Sequence, residues 1–123
     1  MKRVLDIGNC GPDYYAVLRL LERHFPGVQV MQADGADDGL AALRSGTFDL
    51  VLVNRKLDRD YTDGLDVIKH LKADPAAKHV PVLLLSNHAE YQAEAVAAGA
   101  EPGFGKSHFQ QPETLAILRR FLA

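Results

Sequence analysis

The sequence predicts an α/β protein: one parallel sheet with helices packed on both of its faces. Three observations carry that expectation. Leu50-Val51-Leu52-Val53 and Val80-Pro81-Val82-Leu83-Leu84-Leu85 are apolar runs too short for buried helices, and they read as strands covered on both faces. Strand-type segments alternate with helix-type segments five times, and strict alternation calls for parallel strands joined by right-handed crossovers. The 123 residues suffice for one domain with a real core and not for two, and no repeat, linker or low-complexity stretch divides residues 1–123.

The elements follow in order. Val4-Leu5-Asp6-Ile7 is the first strand, ending in the turn chemistry of Gly8-Asn9-Cys10-Gly11. Pro12 suits a first helical turn, and Tyr14, Val17, Leu18, Leu21 and Phe25 then recur at helical spacing until Pro26-Gly27. Val28, Val30 and Met31 interleave with Gln29 and Gln32 as a half-exposed second strand. Asp34 to Asp38 supply a cap and early negative charge for a second helix, with Leu40 and Leu43 inward and Gly46 as its stop. Leu50 to Val53 is the central strand. It ends at Asn54 and a charged segment, Arg55 to Asp63. Thr62-Asp63-Gly64 opens a third helix with Leu65, Ile68 and Leu71 inward, closed by Asp74-Pro75. The fourth strand ends at Ser86-Asn87-His88, and Tyr91, Ala95 and Val96 mark a fourth helix stopped at Gly99. Ala100 to Gly105 is a weak fifth strand interrupted by Pro102, Gly103 and Gly105. After Lys106 and Ser107 the last helix begins near Pro112, with Leu115, Leu118 and Leu122 on one face and Ile117 and Phe121 beside it.

Composition excludes several classes of function. A hydrophobic content of 47%, a charged content of 24% and a net charge of −2 describe an ordinary globular chain with no electrostatic case for nucleic acid or a membrane surface. No apolar run approaches the ~20 residues a membrane span needs, and Met1-Lys2-Arg3-Val4-Leu5 runs straight into a strand, unlike a secretory signal. A single cysteine, Cys10, excludes an internal disulfide and fits a reducing, cytoplasmic setting. The five histidines are scattered, without metal-ligand spacing.

In open α/β sheets the working site lies beyond the C-terminal ends of the strands, which puts Asn54 at the principal address. The surrounding text is specific: Asp34-Gly35, Phe48-Asp49-Leu50-Val51-Leu52, Asp63-Gly64-Leu65-Asp66-Val67-Ile68, Ala73-Asp74-Pro75, Val80-Pro81-Val82 with Ser86, Ala97-Ala98-Gly99-Ala100, and Lys106. Across its whole length the chain resembles a response-regulator receiver domain of the CheY-like kind. The resemblance implies a doubly wound, flavodoxin-like sheet of five strands in the order 2-1-3-4-5. It also implies phosphoryl transfer to an aspartate at the end of the third strand, with a magnesium ion bridging phosphate and acidic residues.

Carried over residue by residue, most of that machinery is gone. The acceptor position matches Asn54, and an amide is a poor nucleophile with no charge to hold magnesium. The acidic pair after the first strand matches Gly8 and Asn9. Ser86 keeps the switch hydroxyl and Lys106 keeps the lysine, but Ser107 replaces the usual proline and Gly103 the usual aromatic, with Phe104 one place late. The loop after Asn54 is about two residues longer than usual. With Lys106 alone, such a pocket tends toward neutral or slightly positive. Unit charges 4 Å apart interact by about 4 kcal/mol at an effective dielectric of 20, so losing several carboxylates dominates any compensation. No tight magnesium site, no cofactor, no enzymatic activity and no phosphorylation of Asn54 are expected.

The residues also have plainer readings. Asn54 and Lys106 form either an amide–ammonium pair that mimics one signalling state or a leftover hydrogen-bonded pocket. Ser86 donates to Asn54 or caps the fourth helix. Asp58, Asp60 and Asp63 offer a substitute acceptor in principle, although a charged loop is ordinarily just solvated. Asp6 is expected to point away from the pocket or toward an edge. The leading expectation is a pseudo-receiver that signals through protein contacts, with a histidine kinase, an output domain or a second copy as partner. The resemblance places the contact face on the fourth helix, fifth strand and fifth helix, with Tyr91, Glu94, Phe104, Ile117 and Phe121 as candidates. The alternatives are an anion-binding domain using Lys106, Ser86 and the first loop, and a phospho-receiver with a displaced aspartate.

Overall fold

In the computed structural model, which describes residues 1–123, five strands run parallel in the order β2-β1-β3-β4-β5. They are β1 (Arg3–Ile7), β2 (Gln29–Ala33), β3 (Leu50–Asn54), β4 (Val82–Leu85) and β5 (Glu101–Phe104). Five helices connect and complete them: α1 (Gly11–His24), α2 (Ala36–Ser45), α3 (Gly64–Ala73), α4 (Ala89–Ala97) and α5 (Pro112–Leu122). The doubly wound order expected from the resemblance is the observed one.

The unbroken apolar runs have a direct cause. On one face of the sheet, Leu5, Ile7, Val51, Val53, Val82 and Leu84 pack against Leu43 of α2, Val67, Ile68 and Leu71 of α3, and Ala95 of α4. On the other, Val4, Leu50, Leu52, Leu83 and Leu85 pack against Val17, Leu20 and Leu21 of α1 and Leu118 and Leu122 of α5. A central strand has no solvent face, so alternation disappears from its sequence. Burial of this kind is the main favourable contribution to folding.

The boundaries follow local chemistry. Asp38 accepts from the amides of Asp34 (2.7 Å) and Gly35 (2.8 Å) at the start of α2, and Asp63 accepts from Leu65 N (2.9 Å) at the start of α3. The fourth strand starts at Val82, two residues later than the apolar run suggests, because Pro81 has no N–H to give to a ladder. In α1, Leu20 is buried and Leu18 only half-buried, a small rotation of the expected face. The fifth strand pairs irregularly with β4: Leu83 lies opposite Glu101 but Leu85 opposite Phe104, which leaves a bulge at Pro102-Gly103.

Candidate functional site

Ile7 of β1 stands opposite Val53 of β3, so the residues that follow, Gly8 and Asn54, meet at the sheet's C-terminal edge. Asn54 Nδ2 donates to Gly8 O (3.3 Å) and to Lys56 O (2.7 Å). A side-chain amide can bind two carbonyls in this way, whereas an ionised carboxylate, which only accepts, cannot. Gly8 has φ of 87°, and a Cβ there would lie 2.2 Å from Leu57 Cδ2. Only glycine fits both the backbone and the space.

The long loop after Asn54 is ordered by its own bonds. Leu57 turns inward and is buried, its amide donates to Thr62 O (3.0 Å), and Asp58 N donates to Gly8 O (2.9 Å). Lys56 and Asp63 form an isolated antiparallel bridge. Two of the three loop aspartates are already engaged. Asp60 accepts from Thr62 Oγ1 (2.5 Å) and Thr62 N (3.0 Å), bonds that hold its carboxyl below the usual range. Asp63 caps α3 and lies 3.1 Å from Arg55 Nη1. Asp58 is exposed.

The electrostatics of the pocket differ from expectation in two ways. First, Lys106 does not reach Asn54: its Nζ donates to Asp13 Oδ2 of α1 at 2.7 Å, so no amide–ammonium pair forms. That bond holds the Asp13 carboxyl below its ordinary value. Second, Asp6 does not point toward an edge. It alternates with Leu5 and Ile7 and so lies on the same face as Val4, under α1, with 0% exposure. Asn9 Nδ2 donates to its Oδ1 at 2.5 Å. Desolvation pushes Asp6 up to about 7, against the Asn9 bond and the Lys106 charge, which act in the opposite direction. The pocket is therefore not served by Lys106 alone; a buried carboxyl and a paired one stand beside it. Ser86 is buried and its Oγ accepts from His88 N (3.2 Å), the role nearer to capping than to bonding Asn54.

These residues do not fit magnesium. The ion asks for near-octahedral oxygens and retains several waters. Asn54 presents its amide nitrogen to two carbonyls and brings no charge, and the oxygens Asp6 Oδ2 and Asn9 Oδ1 are closed off from solvent. No three His, Cys, Asp or Glu side chains are grouped so as to hold a metal.

At the other end of the site, Gln92 of α4 inserts its amide into the β4–β5 bulge. Its Nε2 donates to Leu84 O (2.8 Å) and Ser86 O (3.1 Å), and its Oε1 accepts from Gly103 N (2.9 Å). A Cβ at position 103 would stand 2.3 Å from Leu84 O, so glycine is required here for close approach. Sequence reasoning passed over Gln92 because an amide on a helix carries no signal of what it will reach. It passed over the Asp13–Lys106 pair because 93 residues separate the partners.

Of the five residues proposed for a contact face, Glu94 is exposed and Tyr91, Ile117 and Phe121 are half-buried. Tyr91 carries the Arg55 guanidinium 3.9 Å above its ring. Phe104 is a correction: at 6% exposure its ring lies in the α1–α5 layer, edge-on to Phe109 at 5.9 Å, and presents nothing to a partner. The β5 bulge turns it inward.

Comparison with known proteins places these observations in a family. A family profile described as the response regulator receiver domain matches residues 13–118. Chemotaxis protein CheY-3 of Vibrio cholerae is 29% identical over 113 residues, covering 89% of this chain and 83% of that protein. Among solved structures, chemotaxis protein CheY4 of Vibrio cholerae is 25% identical with a TM-score of 0.78 over 99% of both chains. The receiver domain of a sensor histidine kinase from Pseudomonas aeruginosa, with a magnesium ion coordinated in its active-site cleft, superposes at a TM-score of 0.77. It is 16% identical, over 98% of this chain and 97% of that one.

Proposed function

The chain belongs to the response-regulator receiver family, and from that premise we propose that it works in signal transduction by contact with protein partners, without taking a phosphoryl group on Asn54. The observation that carries the reading is the use made of Asn54: its amide nitrogen is committed to two carbonyls, on the first loop and the third. A nucleophile for phosphoryl transfer needs a free carboxylate with cationic charge on the far side of the phosphoryl oxygens. Here the cation of the pocket is spent on Asp13. The same ion pair argues against the anion-binding alternative, since Lys106 is not free to receive a ligand.

The contact face proposed is that of α4, β5 and α5, with Tyr91, Glu94, Ile117 and Phe121 as its side chains and Phe104 withdrawn. A histidine kinase, an output domain or a second copy are the partner classes. The test is incubation with acetyl phosphate and magnesium followed by intact mass. An unchanged mass is expected. A species heavier by one phosphoryl group, mapped to Asp58, Asp60, Asp63 or Asp13, overturns the reading in favour of a displaced acceptor.

A further inference from the structure

Asp6 is the only acidic or basic residue in the buried interior, and it stands in a layer otherwise made of Val4, Leu50, Leu52, Val17, Leu21 and Leu118. Its one hydrogen bond comes from Asn9, itself 4% exposed. That leaves two oxygens, Asp6 Oδ2 and Asn9 Oδ1, buried with no donor for either. Both are acceptors, and two enclosed acceptors without donors are costly. A magnesium ion does not answer the need, for the reasons given above. A proton does: a carboxylic acid and a carboxamide each offer one donor and one acceptor to the other. With Asn9 Nδ2 already donating to Asp6 Oδ1, a proton on Asp6 Oδ2 gives Asn9 Oδ1 the donor it lacks.

We propose that Asp6 is a proton-binding site that switches the Lys106–Asp13 bridge: with Asp6 neutral, Lys106 holds Asp13, and with Asp6 ionised, Lys106 is drawn from Asp13 toward Asp6. The groups that face Asp6 are few. Asn9 faces it from the loop after β1, Lys106 from the turn after β5, and Asp13 and Tyr14 from α1. Lys106 is the one cation among them. When the proton leaves to solvent, a buried anion remains whose nearest source of compensation is an ammonium already within its field. Lys106 keeps its own proton throughout, and Asp13, partly exposed, is released to water. The Lys106–Asp13 bond is the direct tie between the start of α1 and the turn after β5. Its loss frees one from the other. The burial that raises Asp6 to about 7 puts the transition within the physiological range. Lys106 is paired with a carboxylate of the protein in both states, so the switch leaves the partner-contact reading standing, and the titration below and the acetyl phosphate test fail separately.

The test is a carbon-detected titration of the side-chain carboxyls in isotopically labelled protein from pH 4 to pH 9. The Asp6 carboxyl is expected to titrate near neutrality, and the Asp13 carboxyl and amide to show an inflection at the same pH. Asp6→Asn, which keeps shape and removes the proton site, is expected to abolish the Asp13 inflection. In Lys106→Met, Asp6 is expected to titrate at higher pH, and Asp13 to lose the coupled inflection and move back toward an ordinary carboxylate. An Asp6 midpoint in the ordinary carboxylate range overturns the proposal. So does an Asp13 that stays silent at the Asp6 midpoint, or an inflection that survives in either variant.

Discussion

Asn54, Gly8 and Asn9 were legible as an uncharged set from three positions in the sequence, because carry-over onto aligned motifs needs only residue identity. What each side chain does there was not legible. Asn54 binds two carbonyls, so Asn54→Asp places a carboxylate against them. We expect that variant to lose about 0.5–1.5 kcal/mol in chemical denaturation, the usual net worth of a partly exposed hydrogen bond. Asp6 escaped the sequence because a strand buried on both faces gives no sign of which side a given residue takes. Its effect on stability has a definite sign. The folded-state value, about 7, lies above the ordinary 3.8, so the folded chain holds the proton more tightly than the unfolded one. Stability from this group is fully present below about pH 4, falls as pH rises toward 7 and is flat above. The span is on the order of 4 kcal/mol at about 1.4 kcal/mol per unit. Asp6→Asn should remove this slope from the melting temperature between pH 4 and pH 7. A variant with the same slope as the parent contradicts the assignment.

Among the elements, the helices and central strands followed from periodicity, whereas the fifth strand did not. Pro102, Gly103 and Gly105 in the sequence showed that β5 was weak. They did not show that Gln92 would repair it from a neighbouring helix by acting as a surrogate piece of backbone in the bulge. Such a clamp depends on a contact across α4 and two strands, and local propensity has no access to it. Gln92→Ala strips Gly103 N of its acceptor and Leu84 O of a donor. Amide hydrogen exchange should then quicken at Gly103 and along Ala89–Ala97, while β1 and β3 keep their protection. Equal exchange in α4 before and after the substitution argues against the clamp. Within α3, Ile68 is fully buried against the sheet, and Ile68→Ala should cost about 2–5 kcal/mol.

For the molecule as a whole, class and strand alternation came from the residues, and the strand order came from the family likeness. The same likeness supplied the magnesium and phosphoryl chemistry against which Asn54, Gly8 and Asn9 stand out. The remaining features arise from tertiary contacts: the Lys106–Asp13 tie, the inward Phe104 and the plug of Leu57 under Gly8. Together they describe a receiver fold whose C-terminal sheet edge is tied by side-chain hydrogen bonds from Asn54 and Asn9 and by the Lys106–Asp13 ion pair. The most direct measurement is an amide-resolved NMR titration with magnesium and then beryllofluoride, a mimic of the phosphoryl group. The account predicts no saturable change at Gly8, Asn9, Asn54, Ser86 or Lys106. Saturable shifts at those amides, spreading into α4, would contradict it.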